Sequence, residues 1–311
     1  MLKILVLEPE YFDDYAIRKL KTIGSVTAKR MSRAELLSRI KDFDILVVRI
    51  EAKLDKAVLS RAVVLKAIAS ATTGLNHIDL DYASKHGIKV FNLHGAHTIP
   101  TAQHTMALML SLMRNVPWAY GSLSSGKWER YKFIGTQLDG KTLGIIGLGR
   151  IGSTVCRYAK AFGMNVIYYD PYVSSKLAKR VSLNNLLKSS DVITVHASLN
   201  RTSANELNSK EISLIKKGAF LINTARAEII DYRSMLSALR GGRLQGAAMD
   251  VFMHEPVSDH EKELLEYSRR NGNLIVTPYI GASTREALHH AGLEIANDLV
   301  KEFGRKRSRT Q

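Results

Sequence analysis

Apolar residues fall along this chain in two rhythms. Short runs rich in Val, Ile and Leu alternate with longer stretches whose apolar positions recur at helical spacing. Strands buried on both faces of a parallel sheet read as continuous apolar runs, and the helices covering them carry a stripe of period 3.6. In the first third this predicts strands at Leu2–Leu7, Asp44–Val48, Leu65–Ser70 and Ile88–Phe91, with helices over Arg33–Ile40 and Leu80–His86. A long helix is expected from Pro100 to about Asn115, carrying Met106, Leu108, Met109, Leu110, Leu112 and Met113. Apolar residues on more than one of its faces predict burial, between domains or subunits.

After a polar, glycine-bearing connection from Gly121 to Gly140 the alternation restarts. Strands are predicted at Thr142–Ile146, Val166–Asp170, Asp191–His196, Ala219–Thr224, Gly246–Val251 and Leu274–Thr277. Six strands with helical crossovers is the number in a full dinucleotide-binding sheet. An amphipathic helix from Thr284 to about Phe303 closes the pattern. The fold class is therefore α/β with two doubly wound domains: residues 98–284 form one, inserted between 1–97 and 285–311 of the other.

Composition narrows the class. At 311 residues, 45% apolar and 24% charged, the chain can build two ordinary globular cores. The apolar stretch at the N-terminus ends at Glu8, too early for a signal peptide, and no segment approaches the ~20 apolar residues of a membrane helix. A cytoplasmic protein without membrane contact is expected. The lone Cys156 makes neither an internal disulfide nor a zinc cluster, so it reads as a helix-packing residue and no metal is expected. The net charge of +16 is concentrated in part at Lys301, Arg305, Lys306, Arg307 and Arg309. A basic tail can touch nucleic acid, but no helix-turn-helix, zinc-ligand or aromatic RNA-binding signature accompanies it. Nucleic acid is not the expected partner; the charge reads as solvated surface that attracts anionic ligands.

Gly147-Leu-Gly149-Arg150-Ile151-Gly152 follows the run Leu143–Ile146 and opens a helical pattern. A bare G-x-G-x-x-G is weak, but here a strand precedes it, a helix follows, and Asp170 closes the next strand eighteen residues past Gly152. The first glycine makes the tight turn, the second admits a pyrophosphate, and the third lets helix and strand close up. Backbone N–H groups at the helix start would hold the phosphates. A carboxylate at Asp170 would accept from ribose hydroxyls and repel a 2′-phosphate, favouring NAD over NADP. The plainer alternative is that Asp170 caps its strand before Pro171.

Several further segments carry a family resemblance: Asn223-Thr224-Ala225-Arg226, Asp250-Val-Phe-Met-His-Glu255-Pro256, and Thr277-Pro-Tyr279-Ile-Gly281, each after a strand. With Leu138–Thr142, Thr73–Asp79 and Gln103-His104-Thr105, they resemble the D-isomer-specific 2-hydroxyacid dehydrogenases over almost the whole chain. The resemblance implies a Rossmann NAD-binding domain inserted into a flavodoxin-like substrate domain, hydride transfer between NAD(H) and a small 2-hydroxy or 2-keto acid, and a homodimer. It assigns Arg226 to the substrate's carbonyl and carboxylate, and backbone N–H groups of Thr73, Gly74 and Leu75 to that carboxylate. Asp250 would hold the nicotinamide carboxamide, with Thr224 and His196 beside the cofactor. Glu255 in this family orients a general acid–base histidine, and that position is Tyr279 here. Ala227, Ser198 and Gln103 also depart from the family pattern, as does the loop Asn92–His97. His97 is the preferred substitute histidine. The departures keep a second class open: a catalytically weak NAD-binding sensor or scaffold of the same fold.

Overall fold

The computed structural model describes residues 1–200, 203–253, 258 and 261–304. From the N-terminus come Leu2–Val6 (β1), Asp14–Leu20 (α1), Gly24–Ala28 (β2), Arg33–Arg39 (α2) and Ile45–Val48 (β3). Lys56–Leu59 (α3), Ala67–Ser70 (β4), Leu80–Lys85 (α4) and Lys89–Asn92 (β5) follow. Next are Thr98–Met113 (α5), Val116–Ser124 (α6), Thr142–Ile146 (β6), Arg150–Ala161 (α7), Asn165–Tyr169 (β7) and Lys179–Arg180 (β8). Leu183–Ser189 (α8), Val192–Val195 (β9), Ser209–Leu214 (α9), Ala219–Asn223 (β10) and Tyr232–Arg240 (α10) continue the alternation. Leu244–Met249 (β11), Lys262–Arg270 (α11), Leu274–Val276 (β12) and Arg285–Phe303 (α12) complete it. Two compact units result: Met1–His97 with the described residues from Ser283 on, and Thr98–Ala282.

The first unit holds a parallel five-stranded sheet in the order β2-β1-β3-β4-β5, the flavodoxin-like winding. Side chains alternate across it. Leu5, Leu46 and Ile68 pack with Leu36, Ile40 and Val58 on one face, while Ile4, Val6 and Val47 meet Ile295 and Leu299 of α12 on the other. Asp13, Ser32, Asp55 and Asp79 cap α1 to α4 through side-chain oxygens that accept first-turn N–H groups.

The second unit holds a parallel seven-stranded sheet, β12-β11-β10-β9-β6-β7-β8. Its order reverses at β6, whose neighbours are β9 and β7, so ligands belong outside the carboxyl end of β6. Two strands escaped the hydrophobic pattern. The edge strand β2 is half exposed, and the two residues of β8 are both exposed. The helix predicted from Pro100 to about Asn115 is α5, and Asn115 at φ 56° is the N-cap of the separate α6. Ala102, Met106, Met109 and Leu112 of α5 pack with Leu143, Ile145 and Val155 inside this unit. The helix is thus buried as a core element of its unit, as apolar residues on more than one of its faces predicted. Cys156 is buried on α7, as a packing residue should be. Among the described residues no helix is long and apolar enough to cross a membrane.

Candidate active site

The turn after β6 is built by its glycines. Gly147 has φ +90°, and a Cβ there would lie 2.6 Å from the backbone nitrogen of Ala197, just past β9. A Cβ on Gly152 would lie 2.1 Å from the carbonyl oxygen of Gly147, so the third glycine is what lets α7 close on β6. Gly149 faces open space and is the N-cap of α7, with no side-chain acceptor for the first-turn N–H groups. An uncapped helix start, with Arg150 and Ile151 in its first turn and a bare glycine before it, fits a pyrophosphate. Asp170 is buried; its Oδ2 accepts from Leu148 N–H at 2.8 Å, and its Oδ1 accepts from Tyr172 and Val173 N–H at 2.8 and 2.9 Å. It therefore caps its own strand end and ties the glycine loop, and still has lone-pair capacity for a ribose. His196 lies with Nε2 3.0 Å from the Thr194 hydroxyl, and burial pushes its pKa down to about 3. The ring is neutral at physiological pH.

Three strand ends farther along the same sheet edge carry the other second-unit candidates. Asn223 at the end of β10 brackets the following loop: its Oδ1 accepts from Ala225 N–H at 3.0 Å and its Nδ2 donates to Arg226 carbonyl at 2.9 Å. The loop holds Arg226 with Nη1 donating to the Ala225 carbonyl at 2.7 Å and the Tyr279 hydroxyl at 3.3 Å. Thr224 turns its hydroxyl inward to Thr105 of α5, 2.9 Å away. Asp250, 2% exposed beyond β11, fastens the turn after β12. Its Oδ1 accepts from the Thr277 hydroxyl at 2.6 Å and Ile280 N–H at 2.9 Å, and its Oδ2 accepts from Gly281 N–H at 2.7 Å. His104 of α5 adds Nε2 contacts of 3.2 Å to Thr277 and 3.3 Å to Asp250. Inside this turn Tyr279 has φ 55°, a left-handed conformation that costs an aromatic residue roughly 1–2 kcal/mol. Glu255, with His254, lies outside the described residues.

In the first unit, Thr73, Gly74 and Leu75 follow β4. Their N–H groups donate to no protein acceptor among the described residues, while the Thr73 and Gly74 carbonyls accept from Asn92 Nδ2 and Thr72 Oγ1. A groove of about 480 Å³ is lined by Thr73, Leu75, Asn76, Ile78, Asp79 and Leu80 with Asp81. Burial, aided by the nearby Arg49 charge, pushes His97 down to about 4, far from the range of a neutral-pH acid–base. Sequence reasoning passed over Arg49 and Glu8. The buried Glu8 carboxylate at the end of β1 accepts N–H groups of Arg49, Glu51 and Ala52, and Arg49 lies 4.2 Å over the Tyr11 ring. A carboxylate that stops an apolar strand was the available signal.

Residues 106–281 match the family described as D-isomer specific 2-hydroxyacid dehydrogenase, NAD binding domain. The D-3-phosphoglycerate dehydrogenase of Methanocaldococcus jannaschii is 42% identical over 308 residues, covering 97% of this chain and 57% of the relative. The chain thus spans little more than half the length of that curated relative. Among solved structures, a Thermus thermophilus protein matches with TM-score 0.88 and 32% identity over 96% of both chains. Aquifex aeolicus D-lactate dehydrogenase, complexed with NAD and lactic acid, matches with TM-score 0.83 and 29% identity over 97% of this chain and 95% of its own.

Proposed function

The chain belongs to the D-isomer specific 2-hydroxyacid dehydrogenase family, and its Thr98–Ala282 unit carries that family's NAD-binding domain. From that membership we propose that the protein reduces a small 2-keto acid to the 2-hydroxy acid, or runs the reverse, with NAD(H) as cofactor. The observation that carries the proposal is the meeting of Arg226 with Tyr279 beyond the carboxyl ends of β10 and β12, at 3.3 Å. Curated relatives that are D-3-phosphoglycerate dehydrogenases favour a substrate with a phosphorylated third carbon, within a class that also includes glyoxylate and hydroxypyruvate.

The residues would divide the work as follows. Gly147, Gly149 and Gly152, with the N–H groups of Arg150 and Ile151, hold the pyrophosphate; Asp170 takes the ribose and selects NAD over NADP. His196 and Thr224 border the cofactor, and the remaining acceptor capacity of Asp250 suits the carboxamide. When bound, the nicotinamide would supply the hydride chemistry. Arg226 draws the substrate carbonyl and carboxylate onto one planar guanidinium, a fit that lysine lacks. Thr73, Gly74 and Leu75 offer their unused N–H groups to the carboxylate, and Glu255 supports the acid. Tyr279 donates its phenolic proton to the nascent alkoxide. A phenol carries an O–H donor, so the group is equipped to give a proton to the alkoxide that reduction creates.

One observation sustains a second reading. With tyrosine in the acid–base position, the protein would be a weak catalyst that binds NAD as a sensor or scaffold. The assembly expected in either case is a homodimer. Val116, Tyr120, Leu123, Trp128, Tyr131 and Ile134 are all exposed on or just after α6, a concentration of apolar surface that suits a second copy. The deciding experiment follows NADH consumption with 3-phosphohydroxypyruvate, hydroxypyruvate, glyoxylate and pyruvate. Turnover of at least one supports the reductase; NADH binding without turnover of any transfers the case to the sensor.

A further inference from the structure

The loop that follows β4 is held by its carbonyl groups. The Thr72 carbonyl accepts from Leu93 N–H at 3.0 Å, and the Leu75 carbonyl accepts from Ile78 N–H at 2.9 Å. Between them, the Thr73 carbonyl accepts from Asn92 Nδ2 at 3.1 Å and the Gly74 carbonyl from the Thr72 hydroxyl at 2.7 Å. The N–H groups of Thr73, Gly74 and Leu75 belong to the peptide units of the first three of these carbonyls in chain order. They donate to no acceptor among the described residues. In a planar trans peptide the N–H points opposite to the carbonyl, so these consecutive donors are turned away from the groups that anchor them.

Leu93 and Ile78 act through backbone groups that the fold already places. The Thr72 hydroxyl has side-chain support of its own. Thr72 is buried, and so is Ser70 at the end of β4. Ser70 Oγ lies 2.7 Å from Thr72 Oγ1 and 3.1 Å from His77 Nε2. A hydroxyl has a single proton to donate. That of Thr72 goes to the Gly74 carbonyl, so Ser70 donates to Thr72; the Arg49 carbonyl, 3.4 Å from Ser70 Oγ, is a more distant alternative. Ser70 then accepts from His77, which fixes the ring in its Nε2–H form. Burial pushes the His77 pKa down to about 4, so at neutral pH the ring has one N–H and directs it here. The donors thus run in one direction, from His77 through Ser70 and Thr72 to the Gly74 carbonyl. Hydrogen bonds in such a chain polarise one another, and a polarised carbonyl makes the N–H of its own peptide a stronger donor. That N–H is the one on Leu75.

We propose that Ser70, Thr72 and His77 are positioning residues for the substrate: their relay fixes the Gly74–Leu75 peptide so that the Leu75 N–H is presented, polarised, to a carboxylate. The ligand class is a small acid whose carboxylate adjoins the reacting carbon. The inference rests on the reading of Thr73, Gly74 and Leu75 given above, and adds the side chains that hold their loop.

The test is titration of the full chain with oxalate, a dicarboxylate mimic of such an acid, in the presence of NADH, followed by amide NMR and calorimetry. Thr72→Val, Thr72→Ser and Ser70→Ala are titrated alongside. Oxalate should move the amide resonances of Thr73, Gly74 and Leu75 in the unmodified protein. Thr72→Val keeps the side-chain shape and removes the hydroxyl, so it should weaken oxalate about tenfold and reduce the Leu75 shift. Ser70→Ala should weaken oxalate about threefold, and Thr72→Ser, which keeps the hydroxyl, should stay within about threefold of the unmodified protein. NADH affinity should not change in any of them. Thermal melting accompanies each titration, and Ser70→Ala carries the test if Thr72→Val does not fold. If oxalate moves the three amides yet binds Thr72→Val and Ser70→Ala as tightly as the unmodified protein, the relay is overturned and the carboxylate reading stands. If oxalate leaves those amides unmoved in the unmodified protein, both fall together.

Discussion

Arg226 and Tyr279 reach each other because two different strand ends are tied down by local devices. Asn223 brackets the loop of Arg226, and Asp250 fastens the turn of Tyr279. A guanidinium offers several donors in a rigid fork, so Arg226 can hold the tyrosine hydroxyl and still face a planar carboxylate. The ammonium of a lysine cannot span both. Arg226→Lys is accordingly expected to lower kcat/KM at least about a hundredfold, roughly 3 kcal/mol of transition-state stabilisation. NADH affinity should change less than about threefold, since the dinucleotide contacts are elsewhere. Steady-state kinetics paired with NADH titration checks this; preserved turnover would remove Arg226 from the chemistry.

At the scale of elements, the turn after β12 is the most informative. Tyr279 occupies a strained left-handed conformation only because the residues around it are over-determined. A carboxylate accepting two backbone N–H groups and a hydroxyl supplies that restraint, each bond to an ion being worth about 1.5–3 kcal/mol. Asp250→Asn exchanges one acceptor for a donor. It should therefore speed hydrogen exchange at Ile280 and Gly281 at least tenfold and lower the melting temperature of the second unit. Unchanged protection of those two amides would mean that the strands, not Asp250, set the turn. Much of this was legible beforehand. Thr142–Ile146 was drawn with its true ends, because a buried strand is a continuous apolar run with a glycine turn behind it. Spacing and resemblance pointed to Asp170, Arg226 and Asp250, and each lies just beyond the end of a strand of the second sheet. The edge strands β2 and β8 were not legible, since strands with little buried surface leave little hydrophobic signal.

For the whole molecule, the exposed apolar residues around α6 predict self-association. Light scattering should give twice the 34.6 kDa of one chain, and Trp128→Glu with Tyr131→Glu should return the single-chain mass. A monomer from the unmodified protein at micromolar concentration would leave that surface without its second copy. The activity itself is the larger claim, and it turns on the proposed role of Tyr279, at the position where the resemblance implies a histidine. General acid–base help is worth about 10²–10⁴-fold, yet positioning and Arg226 operate without it. Keto-acid reduction should then be slow, with hydroxy-acid oxidation slower still. The most direct test is to measure both directions from pH 6 to 10 for the unmodified protein, Tyr279→His and Tyr279→Phe. The account predicts slow reduction by the parent, at least a tenfold gain in Tyr279→His, and loss in Tyr279→Phe. No turnover of any keto acid by the parent or by Tyr279→His, with NADH bound in both, would contradict it.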